Sequence, residues 1–190
     1  MRLGVYGGSF DPPHLGHLLP VLDAAEQLGL DHVRFVPTSV QPLKVGQATA
    51  DAADRLAMTE RLVQGVPGFS VDPAEIVRPG LSYTVDTLAG LAVEQPDAEL
   101  FLLLGSDAYA LIEQWREPDR VRALSTIVVM ARNDGATPAP RAMPGVQVLQ
   151  SRRVDISSTE LRARVRDGRT IRGFVPDAVA DYIAEHRLYR

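Results

Sequence analysis

Apolar residues along this chain follow two alternating rhythms. Short runs that are apolar at nearly every position, such as LFLLLG (100–105) and TIVVMA (126–131), give way to longer stretches with an apolar residue every three or four places. The first rhythm predicts strands buried on both faces, and the second predicts amphipathic helices. In chain order, RLGVYG precedes LGHLLPVLDAAEQLG, HVRFVP precedes ADAADRLAMTERLVQG, and FSVDPAEIV precedes SYTVDTLAGLAVEQ. AELFLLLG then leads to SDAYALIEQW, and STIVVMA leads through a loop to VQVLQ. SSTELRARVRDG and PDAVADYIAEHRL read as two closing helices. Strand and helix in alternation require crossovers over a mainly parallel sheet, so the fold class is α/β, doubly wound, with helices on both faces.

The first helical stretch places Leu18, Val21, Leu22, Ala25 and Leu28 on one face, with Asp23, Glu26 and Gln27 opposite. Pro20 fits a helix only in its first turn, which predicts a start near residues 16 to 19 and puts His17 beside the helix N-terminus. Residues 133–144 (NDGATPAPRAMP) read as a surface loop. With no internal repeat and no long linker, residues 1–190 are expected to form a single domain.

Composition narrows the chemistry. The chain has no cysteine, which excludes disulfides, thiolate zinc sites and cysteine nucleophiles. No apolar stretch approaches the roughly 18 residues of a membrane span and no signal-peptide pattern opens the chain, so the cytoplasm is the expected compartment, with no membrane partner. A net charge of -4 argues against a nucleic-acid partner. Residues 151–172 nevertheless hold seven arginines against three carboxylates. That run is either a solvated helix face or a site for a small polyanion.

Three local features carry chemistry. GGSFDPPHLGH (7–17) stands where the first strand runs into the first helix, the place where parallel sheets bind ligands and helix N-termini attract anions. Neither G-x-G-x-x-G nor the G-x-x-x-x-G-K-[ST] loop is present. What is present is H-x-G-H: His14 and His17 can both donate N–H bonds to one phosphate, with Gly16 keeping a Cβ out of the way. Zinc coordination would need further ligands, of which Asp11 is the nearby candidate, and a purely structural pair is the plainer alternative. In DISSTELRARVR (155–166), Ser157 and Glu160 have capping-box spacing, so a helix should begin at Ser157 with Leu161 and Val165 turned inward. Ser158, Thr159 and Arg162 then stand at its anion-binding end. Finally, Lys44 is the only lysine among 20 basic residues, either by chance or because a compact ammonium is needed to bind phosphate.

With these residues in place, the sequence resembles the nucleotidyltransferases that carry H-x-G-H and S-x-T-x-x-R signatures, and most closely the nicotinate-nucleotide adenylyltransferases. The resemblance runs from Gly4 to Tyr189. It implies a Rossmann-like fold in which residues 151–190 form a helical portion completing an ATP site. His14, His17, Lys44 and Arg162 would be catalytic. Gly8, Ser9, Phe10, Gly105, Asp107, Ile156, Ser157, Ser158 and Thr159 would join the histidines and Arg162 around ATP. Lys44, Tyr83, Thr84, Trp115 and Arg132 would bind nicotinate mononucleotide. Taken alone, Asp107 could equally be a helix cap and Trp115 a core residue. Leu43 stands where the family usually has His.

The activity implied is transfer of the adenylyl group of ATP to nicotinate mononucleotide, giving deamido-NAD and pyrophosphate. Mg²⁺ would be carried with ATP, with no protein metal site. A phosphate monoester has its second pKa at about 6, so the nucleophile is already ionised and needs no general base. Catalysis would then come from positioning and from donors around the phosphates. Pantetheine-phosphate adenylyltransferase, and a non-catalytic nucleotide sensor on the same scaffold, are the rival readings. Assembly into a homo-oligomer is left open.

Overall fold

The computed structural model describes residues 1–39, 50–78, 80–132 and 145–190. Six strands, β1 (Arg2–Gly8), β2 (His32–Pro37), β3 (Phe69–Val71), β4 (Glu99–Gly105), β5 (Thr126–Arg132) and β6 (Val146–Ser151), form one sheet in the order β3-β2-β1-β4-β5-β6. Every pairing in it is parallel. The helices between them are α1 (Leu15–Leu28), α2 (Ala52–Val63), the single turn α3 (Ala74–Val77), α4 (Thr84–Glu94), the short α5 (Ser106–Tyr109) and α6 (Pro118–Leu124). After β6 come α7 (Ser158–Arg166) and α8 (Asp177–Glu185). The expected doubly wound α/β sandwich is therefore present.

Strand periodicity of two sorts the core into two layers. On β4, Phe101 and Leu103 face a cluster built with Val21 of α1, Met58 and Leu62 of α2, Leu161 of α7 and Ile183 of α8. Leu100, Leu102 and Leu104 face the other cluster, with Val85, Leu88 and Leu91 of α4 and Val121 of α6. Chain order reverses between β1 and β4, so the crevice at their carboxyl ends is the topological switch point where such sheets bind ligands.

Several local expectations need correction. Helix α1 starts at Leu15, one residue before the expected window, so Pro20 lies in its second turn. The ring removes the N–H that would bond the Gly16 carbonyl, and the burial of Val21, Ala24 and Leu28 sustains the helix around that defect. The run FSVDPAEIV is a strand only through Val71; Pro73 then caps the turn α3. SDAYALIEQW is not one helix but α5 followed by a 3-10 turn, Ile112–Gln114. Helix α6 was not anticipated, although Pro118 at its first turn is a standard start signal. The loop assigned to residues 133–144 lies outside the described residues.

Candidate active site

The two signature histidines lock each other in place. His14 is the N-cap of α1, and its Nδ1 accepts the Gly16 N–H at 3.1 Å. Nδ1 of His17 in turn accepts the His14 N–H at 3.2 Å. A ring nitrogen that accepts carries no proton, so in both neutral rings the proton lies on Nε2. The imidazoles lie face to face at a 34° tilt with centroids 3.8 Å apart, His14 buried at 4% exposure and His17 half-buried. The result is a fixed pair of Nε2–H donors at a helix N-terminus. A Cβ on Gly16 would lie 2.9 Å from the His14 ring and 3.3 Å from the Ile156 carbonyl oxygen, which explains the glycine between them.

The loop before the histidines is held from below. Phe10 is fully buried, packed edge-on against His17 at 5.2 Å and against Tyr6 and Phe35, and this packing sustains its left-handed φ of 49°. Its ring would clash at 2.9 Å with any Cβ on Gly8. Beneath it, buried Arg55 donates to the carbonyls of Ser9 (2.8 Å), Thr38 (2.6 Å), Ser39 (2.9 Å) and Ala50 (3.3 Å). Burial lowers the Arg55 pKa, opposed by attraction to Asp11, Tyr189 and Asp51. Asp11, 3% exposed, accepts from the Tyr189 hydroxyl at 2.7 Å and the Ala50 N–H at 3.3 Å. Burial, reinforced by that bond to Asp11, pushes the Tyr189 phenol up and keeps it protonated.

The C-terminal signature docks on this same loop. Ser157 caps α7, its hydroxyl accepting the Glu160 N–H at 3.2 Å, and Leu161 is fully buried while Val165 is half-buried. Ser158 donates to the Pro12 carbonyl at 2.8 Å, and Arg162 donates to the Asp11 carbonyl at 2.6 Å and to Thr159 Oγ1 at 3.2 Å. Residues about 150 positions apart in the chain therefore share one surface. Much of the arginine-rich run is engaged with other residues. Arg152 pairs with Asp23, Arg153 with Asp155, Arg169 with Asp167, and Arg172 with Asp177 and Asp181. Arg164 bonds the Thr170 carbonyl and covers the Phe174 ring. Arg162 is the member of the run aimed at the glycine-rich loop.

On the other side of the β1 tip lies a cavity of about 140 Å³, bounded by the carboxyl ends of β1, β2 and β4 and by the start of α4. Gly7 and Gly8 border it, so the glycine pair joins this cavity to the histidine side. A Cβ on Gly7 would meet only the Val36 carbonyl, at 3.9 Å, so packing does not demand that glycine. Tyr83, the N-cap of α4, and Thr84, its first residue, line the cavity together with half-buried Trp115. Arg116 sits over the Tyr83 ring and pairs with Asp86. Trp115 also packs on the α4 core cluster, so it is both rim and core.

Gly105 and Asp107 occupy the carboxyl end of β4 and the first turn of α5. Gly105 is the cap there and Asp107 is exposed, so the plainer capping role does not account for Asp107. Arg132 ends β5 opposite Ser151. Its side chain, Lys44 and Leu43 lie outside the described residues. Among the described residues, no three His, Asp or Glu side chains gather to hold a metal, and no helix is long and apolar enough to cross a membrane. Sequence reasoning passed over Arg55, Tyr189 and Glu75. Only their burial distinguishes them from ordinary surface polar residues, and burial by elements distant in the chain has no local signature.

Residues 5–164 match the cytidylyltransferase-like family model. A probable nicotinate-nucleotide adenylyltransferase of Gemmatimonas aurantiaca is 49% identical over 100% of this chain and 93% of its own length. One from Thermus thermophilus is 46% identical over 100% of both chains. Among solved structures, Plasmodium falciparum nicotinic acid mononucleotide adenylyltransferase complexed with NaAD superposes with a TM-score of 0.78 at 19% identity, covering 99% of this chain and 97% of that one; this likeness speaks to the fold alone. With a family model spanning most of its length and relatives close to half identical from end to end, the chain belongs to the cytidylyltransferase-like family, among the nicotinate-nucleotide adenylyltransferases.

Proposed function

We propose that the protein joins nicotinate mononucleotide to the AMP part of ATP, releasing pyrophosphate and forming deamido-NAD, with ATP on the histidine side of β1 and the pyridine in the cavity on the other. The observation that carries this reading is the reciprocal His14–His17 capping arrangement, which commits both rings to donating from Nε2. Such donors suit the oxygens of a phosphorus centre gaining charge, and they are poor general bases. The attacking phosphate monoester is ionised near neutrality, so positioning and charge stabilisation suffice for in-line displacement of pyrophosphate.

In this assignment His17, the more exposed ring, contacts the α-phosphate and His14 orients it. Arg162 and the first turn of α7 hold the triphosphate from the far side, so residues 151–190 complete the ATP site. The backbone of Gly8, Ser9 and Phe10 lines the nucleotide path, and Gly105 and Asp107 lie toward the ribose. Trp115 stacks on the pyridine while Tyr83 and Thr84 meet its substituent; Lys44 and Arg132 are assigned to the mononucleotide. The partial positive charge at the start of α4, an eleven-residue helix, suits an anionic substituent.

Mg²⁺ enters with the triphosphate, where it would neutralise charge on the phosphates. The donor set here fits that arrangement, because it consists of N–H and O–H groups and its nearby carboxylate, Asp11, is buried and bonded to Tyr189 and Ala50. Incubating the purified protein with ATP and nicotinate mononucleotide and assaying pyrophosphate tests the reading. Pyrophosphate release with phosphopantetheine instead would favour the related adenylyltransferase, and nucleotide binding without turnover would favour a sensor.

A further inference from the structure

The cavity beside α4 contains a carboxyl group with no part in the mechanism above. Glu75, in the turn α3, is 5% exposed and borders the cavity along with Ser82, Tyr83, Thr84 and Thr87. Its Oε1 accepts a 2.6 Å bond from the Thr87 hydroxyl, which ties α3 to α4. Its Oε2 is buried and has no hydrogen-bond partner among the described residues. The Ser82 hydroxyl oxygen accepts the Ser39 N–H at 3.1 Å. An ionised carboxylate with a buried oxygen left unpaired is disfavoured, whereas a carboxylic acid carries its proton on that oxygen and needs only an acceptor.

The nearest cation is Arg78, whose Nη1 is itself buried without a hydrogen-bond partner among the described residues, yet its charge does not outweigh the desolvation of Glu75. Burial pushes the Glu75 carboxyl up; hydrogen bonding from the Thr87 hydroxyl opposes that push, followed by a weaker hydrogen-bonding contact with the Ser82 hydroxyl and the charge of Arg78, and Asp72 adds to it. Arg34 of β2 is paired with Asp72 and Glu94. Arg116 on the rim is paired with Asp86 and Glu117. From α2, Arg55 bonds backbone carbonyls, Arg61 covers the Tyr182 ring, Asp54 accepts from Tyr182, and Glu60 is exposed.

We infer that Glu75 is a specificity-determining residue: as a neutral acid it donates from Oε2–H to the carboxylate on the pyridine ring of the mononucleotide, selecting that group over a carboxamide. The inference rests on the proposed placement of the pyridine in this cavity. Ionised Glu75 would repel the carboxylate and accept from a carboxamide N–H, so rising pH should erode the preference.

The test is calorimetric binding of nicotinate and nicotinamide mononucleotides to the full chain from pH 5.5 to 8.5. Both ligands carry the same titrating phosphate, so the ratio of their Kd values cancels it. In the wild type the preference for nicotinate should fall as pH rises, by roughly 10- to 100-fold between the neutral and the ionised forms of Glu75, the size of one hydrogen bond to a charged group. In Glu75→Gln, whose amide keeps a donor and cannot ionise, the preference should persist and be independent of pH. A ratio flat with pH in the wild type, or a Gln variant that follows the wild-type titration, would overturn the inference and leave Glu75 as the clasp for Thr87 alone. The wild-type titration decides the matter even if the variant fails to fold. Pyrophosphate release, measured separately, decides whether the proposed reaction itself stands.

Discussion

Replacing Gly16 by alanine separates the stability of α1 from the placement of its histidines. Gly16 lies in the first turn of α1, and it is absent from the residues with left-handed backbone. In a helix interior alanine is favoured over glycine by about 0.8–1.0 kcal/mol, and by less this near the end. Against that, the new Cβ would sit 2.9 Å from two atoms of the His14 ring and 3.3 Å from the Ile156 carbonyl. The ring is buried and packed 3.8 Å from the His17 ring, so relief means rotating it off the Gly16 N–H and out of register with its partner. The lost hydrogen bond, about 1 kcal/mol, and the gained propensity nearly cancel, so Tm should stay within about 4 °C of wild type. Catalysis has no such compensation. Misplacing an Nε2–H aimed at the phosphates should lower kcat about 10²-fold, equivalent to about 2.7 kcal/mol of transition-state stabilisation. Thermal melts and pyrophosphate release on the same preparation read the two effects. A Gly16→Ala enzyme with wild-type kcat would refute the claim that this histidine geometry matters to the reaction.

Other substitutions probe the remaining parts of the arrangement. His17→Ala should lose about 10² or more in kcat with an unchanged circular-dichroism spectrum, since the half-buried ring serves as a donor more than as core. Tyr189→Phe removes a donor from buried Asp11 and should destabilise the protein by about 1–2 kcal/mol, seen as a lower urea midpoint at unchanged slope. Glu75 makes a pH prediction with a definite sign. Its carboxyl is raised by burial, so between its ordinary value of 4.5 and the raised value the folded state binds more protons than the unfolded state. Stability should therefore fall as pH rises through that window. The Tm of Glu75→Gln relative to wild type should climb from pH 4 toward pH 8; a difference that shrinks over that range would contradict the assignment.

Much of this protein was legible locally. Strands apolar at nearly every position, such as β4, can only be sandwiched between helices, and strand-helix alternation then permits little besides a parallel doubly wound sheet. H-x-G-H and S-S-T-E-L-R announced their helix starts because caps and first turns are determined by neighbours within about four residues. The same locality explains the errors at Pro20, Pro73 and α6, where burial of an apolar face outweighed or completed weak local signals.

Contacts across the chain settled the rest. That four of the seven clustered arginines are taken up in ion pairs while Arg162 reaches the glycine-rich loop depends on where Asp23, Asp155, Asp167, Asp177 and Asp181 fall once the helices pack. That Asp11, Arg55 and Tyr189 brace this loop, and that Glu75 is buried at the cavity wall with an oxygen unpaired among the described residues, follows from desolvation by elements distant in sequence. Propensity and capping act over a few residues, whereas burial is a property of the assembled layers, and burial gives an ordinary carboxylate or arginine its particular chemistry.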